Sequence, residues 1–178
     1  MIHTGIGARA TPPHALILMR NLGRVLAELG WTLRSGGAPG ADTAFEIGCD
    51  LGRGAKEIFL PHAGFNRSRA PFRGIPDRAF EIAASLHENW AACKPFDRCA
   101  HGRNVQEVLG QELDTPADLV IAWTEGGLLK GGTRTALRLA GRMGIPVLNL
   151  GSPPFTRLDF PQILARVLHA NAQAPEPQ

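Results

Sequence analysis

Cysteine, lysine and long apolar runs are all scarce in this chain of 178 residues, and each scarcity excludes something. Three cysteines, Cys49, Cys93 and Cys99, are too few and of the wrong parity for a disulfide framework, and no charged-apolar-small leader pattern opens the chain. A reducing, cytoplasmic compartment is expected. The apolar runs fall far short of the roughly 20 residues that a bilayer-spanning helix needs, so no membrane partner is expected. An excess of either charge is lacking too: 19 basic residues face 16 acidic ones, and a net charge of +3 does not demand nucleic acid. Of the 19, only 3 are lysine and 16 arginine, a skew that coding bias explains at least as well as bidentate phosphate recognition.

Glycine, by contrast, is plentiful, and it gathers where strands should hand over to helices. Ser35-Gly36-Gly37-Ala38-Pro39-Gly40-Ala41-Asp42 follows the apolar run Trp31 to Leu33, and Gly126-Gly127-Leu128-Leu129-Lys130-Gly131-Gly132-Thr133 follows Leu119 to Trp123. Glycine lets backbone N–H groups approach a ligand, and the free N–H groups that open a helix favour anions such as phosphate.

Periodicity around these loops predicts alternating strands and helices. Met1 to Ile6 is a first strand, Thr11-Pro12 opens a helix carrying Leu18, Leu22, Val25, Leu26 and Leu29, and Trp31 to Arg34 is a second strand. A helix from about Ala41 to Leu51 and a strand from Ala55 to Leu60 follow. Pro61 to Pro76 is a long loop with Arg67, Arg69 and Arg73, a candidate lid. Helices are expected at Asp77 to Trp90 and at about Asn104 to Leu113, then a strand at Asp118 to Trp123, a helix at Thr133 to Met143, a strand at Pro146 to Leu150 and a helix at Phe160 to Ala170. Residues 1–171 thus form one α/β domain, Rossmann-like and three-layered (αβα), around a five-stranded, mainly parallel sheet of order 3-2-1-4-5, with an insertion at about 61–116 and a flexible tail at 172–178. In such a sheet the ligand crevice opens at the carboxyl ends of the first and fourth strands.

Several motifs there need weighing. Gly5-Ile6-Gly7-Ala8-Arg9-Ala10 has the spacing of a dinucleotide fingerprint, but Arg34 stands where its acid should end the second strand, so it is read as a tight strand-to-helix turn. The second glycine loop is not a Walker loop, because Lys130 precedes Thr133 by three positions. Asp42 and Glu46 share one helix face, where they would meet ribose hydroxyls or a developing sugar cation; alternatively, Asp42 complements the helix dipole. His87, Cys93, Cys99 and His101 invite a metal reading, yet their spacing matches no usual paired-ligand pattern, and neither metal nor cofactor is expected. His101-Gly102-Arg103-Asn104, placed at a helix start, forms a polar wall in which Arg103 contacts phosphate and Asn104 a base edge or the helix cap.

Ser35 to Asp42 with Phe45-Glu46-Ile47-Gly48, and Trp123-Thr124-Glu125-Gly126-Gly127 with Lys130 to Thr133, resemble the two glycine motifs of the SLOG superfamily. That Rossmann-like group includes the DNA-processing A recombination mediators and the lonely-guy phosphoribohydrolases. The resemblance covers about residues 1–60 and 117–150. It implies a nucleotide or nucleotide-derived ligand, with phosphate on Gly131, Gly132 and Thr133 and the sugar near Gly36 to Asp42. The hydrolase branch carries Pro-Gly-Gly-x-Gly-Thr-x-x-Glu; here Glu125 replaces the proline and Ala136 the glutamate.

The expected ligand contacts are therefore Gly5, Gly7, Arg9, Ser35, Gly36, Gly37, Gly40, Asp42, Arg103, Asn104, Gly127, Lys130, Gly131, Gly132 and Thr133. A sensor or processor of a nucleotide is the leading function. An N-glycosidic hydrolase acting on a nucleoside monophosphate is the alternative, with Asp42, Glu46 or Glu125 as catalytic carboxylates. Single-stranded DNA binding through Arg67, Arg69, Arg73 and Arg78 ranks lower, since the loop offers only Phe65 and Phe72 for stacking. A homodimer is compatible with all three.

Overall fold

The computed structural model describes residues 1–153 and 155–172, so the tail expected at 172–178 lies, from residue 173 on, outside the described residues. Five parallel strands, β1 (Ile2–Gly7), β2 (Thr32–Ser35), β3 (Lys56–Ile58), β4 (Leu119–Trp123) and β5 (Val147–Asn149), pair in the order β3-β2-β1-β4-β5. Among the described residues, six α-helices cover the sheet: α1 (Pro13–Glu28), α2 (Ala41–Leu51), α3 (Asp77–Leu86), α4 (Pro95–Leu109), α5 (Arg134–Arg142) and α6 (Phe160–Ala172).

Strand β4 shows why three layers form. Leu119 and Ile121 point to one face, where they meet Met19, Leu22 and Leu26 of α1, Phe45 of α2, and Ile163 and Val167 of α6. Val120 and Ala122 point to the other, toward Ala79 and Ala83 of α3, Val105 and Val108 of α4, and Leu137 and Ala140 of α5. Side chains alternate across a strand, so a run that is apolar at every position must be buried on both faces. His3 lies in the first of these layers, edge-on to Trp31 and Phe45, and burial lowers its pKa to about 3.

Three expected elements change their bounds most. The third strand is three residues long rather than Ala55 to Leu60, because it pairs only with Leu33, Arg34 and Ser35 of β2 before the chain turns inward at Phe59 and Leu60, both buried. The helix expected from Asn104 to Leu113 instead begins nine residues earlier at Pro95, a residue suited to a first helical turn, and ends at Gly110, whose φ of 83° only glycine adopts readily. The preceding helix stops at Leu86 rather than Trp90, with His87 extended. Asn104 is therefore in mid-helix and caps nothing.

Candidate functional site

Helix α4 is central to the site. Every residue from His101 to Leu109 is buried, although this stretch carries His101, Arg103, Asn104, Gln106 and Glu107. It is anchored where it passes β1: the Thr4 hydroxyl donates to the Glu107 carbonyl at 2.6 Å. Four residues apart, Arg103 and Glu107 project from one face toward the carboxyl end of β2 and the start of α2. There the Arg103 guanidinium donates to the Glu107 carboxylate and lies 3.4 Å from Asp42 Oδ2.

Two carboxylates thus share one guanidinium away from water. Burial pushes Glu107 up to about 8 despite the attraction of Arg103, with the Asp42 charge adding to the rise. Burial likewise raises Asp42, opposed by Arg103 and by the Ala38 N–H, which donates to it at 3.2 Å. Burial also works against the charge on Arg103, but Glu107 and Asp42 outweigh it and hold the guanidinium protonated.

This triad forms the floor of a cleft of about 510 Å³ at the carboxyl ends of β1 and β4, a size ordinary for small-molecule sites. One wall is the turn after β1, with Gly7, Ala8 and the exposed Arg9; the opposite wall is Lys130, Gly131, Gly132 and Thr133 ahead of α5. The N–H groups of Gly131, Gly132 and Thr133 have no hydrogen-bond partner among the described residues. Asn104 Nδ2 donates to the Gly132 carbonyl at 2.7 Å and holds that loop against α4. At the mouth stands Phe96, 41% exposed, with the rings of Phe65 and His62 6.0 and 6.1 Å away.

Of the residues expected from sequence, Gly7, Arg9, Asp42, Arg103, Asn104, Lys130, Gly131, Gly132 and Thr133 come together in this cleft. The rest do not line it. Gly36 leaves room for Arg103: a Cβ there would overlap the guanidinium and the Glu107 carboxylate. Gly5 packs on Phe45, and Ser35 donates its hydroxyl to the Gly5 carbonyl at 2.7 Å. Gly37 accepts a hydrogen bond from Asn66 at 2.9 Å, and Gly40, at φ 90°, lies under the Arg9 carbonyl. Gly127 abuts Ser152. The carboxylates expected alongside Asp42 lie elsewhere: Glu46 pairs with Lys56 at 3.1 Å on the outer side of α2, and Glu125 pairs with Lys130 at 2.5 Å in solvent.

The loop at 61–76 does not lid the cleft. Phe65 packs behind the first glycine loop on Ala38 and Leu60, and Arg73 lines a separate hollow of about 220 Å³ beside β3. Arg78 pairs with Glu81 on the surface. Among the cleft residues that sequence reasoning missed are Glu107, Phe96 and Asp97. The i,i+4 relation of Glu107 to Arg103 was the available sign for the first; Phe96 sat in a segment not read as helix.

No protein-family model matches this chain, and no curated protein matches it. Solved structures do. Two structures of the molybdenum cofactor carrier protein of Chlamydomonas reinhardtii align with TM-scores of 0.60, at 19% and 20% identity, over 97% of this chain and 97% and 98% of theirs. DNA processing protein A from Helicobacter pylori, solved for its single-stranded DNA binding mode, aligns with a TM-score of 0.58 at 17% identity, over 95% of this chain and 80% of that one. The shared feature is the fold, which is the one that the SLOG resemblance implies. Among the described residues, no helix is long and apolar enough to cross a membrane.

Proposed function

We propose that this protein binds a nucleotide or nucleotide-derived small molecule in the cleft between the β1 turn and the second glycine loop. The observation that carries this reading is the row of unpartnered N–H groups at Gly131, Gly132 and Thr133, at the N-terminal end of α5 and lining the cleft. Unpaired amides and the positive end of a helix dipole together suit a phosphate. Arg9 on the facing wall supplies a second cation, and Phe96 offers a flat face for a base or another planar heterocycle. A nucleotide also accords with a small-molecule carrier and a DNA-binding protein sharing the fold.

Calorimetric titration with a panel of nucleoside mono- and diphosphates and short single-stranded oligonucleotides tests this. Gly132→Asp sets a carboxylate against the phosphate and should abolish binding; unchanged affinity in the folded variant removes the reading.

A hydrolytic role for the same cleft has one specific observation in its favour, the protonated Glu107 beside Asp42 on the floor. When the C1′–N bond breaks, its electron pair goes to the base, which takes the Glu107 proton, while Asp42 stabilises the sugar cation. Water then adds to C1′ and returns a proton to Glu107. In this scheme α4 supplies the carboxylate that Ala136, fully buried in α5, does not. Release of free base from a nucleoside monophosphate, lost in Glu107→Gln, is the expected result; no turnover of any panel member ends this scheme and leaves the binding reading standing.

A further inference from the structure

Outside the triad, the structure draws together three side chains whose spacing in sequence argues against a shared role. His87 follows the end of α3, Cys93 follows a single 3-10 turn at Trp90–Ala92, and His101 lies within α4. One ligand atom from each falls within 4.8 Å of the other two. The Cys93 Sγ is 3.7 Å from either ring nitrogen of His87, and the His87 and His101 rings are 4.7 Å apart between centroids. Around a tetrahedral zinc ion, with Zn–S of about 2.3 Å and Zn–N of about 2.0–2.1 Å, neighbouring ligand atoms stand roughly 3.5 Å from each other. The Cys93–His87 pair is close to that separation, and a ligand atom of His101 stands within 4.8 Å of both.

The surroundings agree. His101 Nδ1 lies 2.7 Å from the Thr135 hydroxyl. With Nδ1–H donating to that oxygen, the lone pair sits on Nε2, the arrangement that commonly orients a metal-bound imidazole. Trp90 shields the pair of histidines, its ring 6.1 Å from His87 and 6.2 Å from His101. One cation stands close: Arg134 Nη2 is 3.2 Å from His87 Nε2. The same guanidinium has an acidic partner, Glu88, at 3.6 Å, which can retain it once the histidine takes another partner. Cys99 is excluded, because two residues along a helix from His101 place it on the far side.

We propose that His87, Cys93 and His101 bind a divalent ion of the zinc class, with water completing the coordination. Two nitrogens and a thiolate suit zinc or cobalt and not magnesium or calcium, which take oxygen ligands. Three protein ligands leave one position open, as in zinc sites that meet a substrate. His101 also lines the cleft, so the ion would stand at its edge. This inference does not depend on the identity of the cleft ligand.

The test is titration of chelator-treated protein with Co²⁺ alone, followed by optical absorption. One ion per chain is expected, with tetrahedral d–d bands and a thiolate-to-cobalt charge-transfer band, all displaced by Zn²⁺. Cys93→Ser should remove the charge-transfer band and weaken binding at least about tenfold, and Thr135→Val should weaken it about 10- to 100-fold. Cys99→Ser should leave the spectrum unchanged. A wild-type protein without the charge-transfer band, a band that survives in Cys93→Ser, or one lost in folded Cys99→Ser overturns the site. Circular dichroism reports whether each variant is folded, and the wild-type titration decides the matter should a variant unfold.

Discussion

The two glycine loops look alike in sequence and differ in what occupies the space that glycine leaves. Behind the first, at 35–42, that space is filled by the protein: the Arg103 and Glu107 side chains crowd Gly36, the Arg9 carbonyl approaches Gly40, and residues 35–38 are all buried. Around Gly131 and Gly132 of the second, no atom of the described residues lies within 4 Å of where a Cβ would stand, and both residues are exposed. A glycine-rich strand-to-helix loop therefore carries two meanings. One lets the chain pack on itself and builds the cleft floor; the other leaves backbone donors open toward the cleft.

Substitutions can sharpen that contrast. The largest effect is expected behind the first loop: Gly36→Ala displaces Arg103 and separates it from two buried carboxylates. About 3–5 kcal/mol of stability should be lost, as when a buried ion pair is broken, and urea denaturation would measure it. A loss under about 1 kcal/mol would mean that the triad can relocate, and the first loop would then resemble the second.

The next effect is one of pH. Glu107 is held at about 8 when folded, above its ordinary 4.5. Between those values the folded chain retains a proton that the unfolded chain has released, so the contribution of Glu107 to stability is complete below about 4.5 and is lost as pH rises toward 8, by at most about 1.4 kcal/mol per pH unit. Glu107→Gln should flatten this fall. His3 works in the opposite direction: buried neutral with a pKa near 3 against 6.5 unfolded, it makes stability decline as pH drops below about 6.5. Chemical denaturation of His3→Phe across pH 4 to 7 should show the decline reduced, with His101, lowered to about 4 by burial, supplying a part that remains, and an unaltered acid limb would count against the buried neutral imidazole.

Smaller effects belong to the second loop. Asn104→Ala deletes the bond to the Gly132 carbonyl and should cost about 1 kcal/mol, with faster amide exchange at 130–133. Gly132→Ala meets only open space and should change stability by no more than about 0.5 kcal/mol. Should Gly132→Ala destabilise as strongly as Gly36→Ala, the distinction between the loops would disappear.

Much of this molecule was legible beforehand. The alternation of strands with crossover helices follows from apolar runs and turn residues, the strand order expected of such an open sheet is the one found, and α2 begins and ends where its pattern does, at Ala41 and Leu51. The misreading of α4 has a physical cause. No apolar face runs along its length: Pro95 to Ala100, the turns that were missed, are exposed or half-buried, whereas from His101 onward every residue is buried, polar ones included. Glu46 and Glu125 lie outside the cleft lining, Glu46 paired with Lys56 and Glu125 paired in solvent with Lys130. The meeting of His87, Cys93 and His101 was not legible in spacing either, since the three are brought together by a chain reversal between α3 and α4.

The amino-acid sequence by itself determined the layers and the sheet, because the period of apolar residues is local and each period admits one kind of element. Which glycines stand open at the cleft, which carboxylate shares Arg103 with Asp42, and which histidines meet a cysteine were decided only by tertiary structure. Those choices depend on side chains delivered from distant positions into the same few cubic ångströms, and excluded volume between distant residues leaves no trace in the order along the chain.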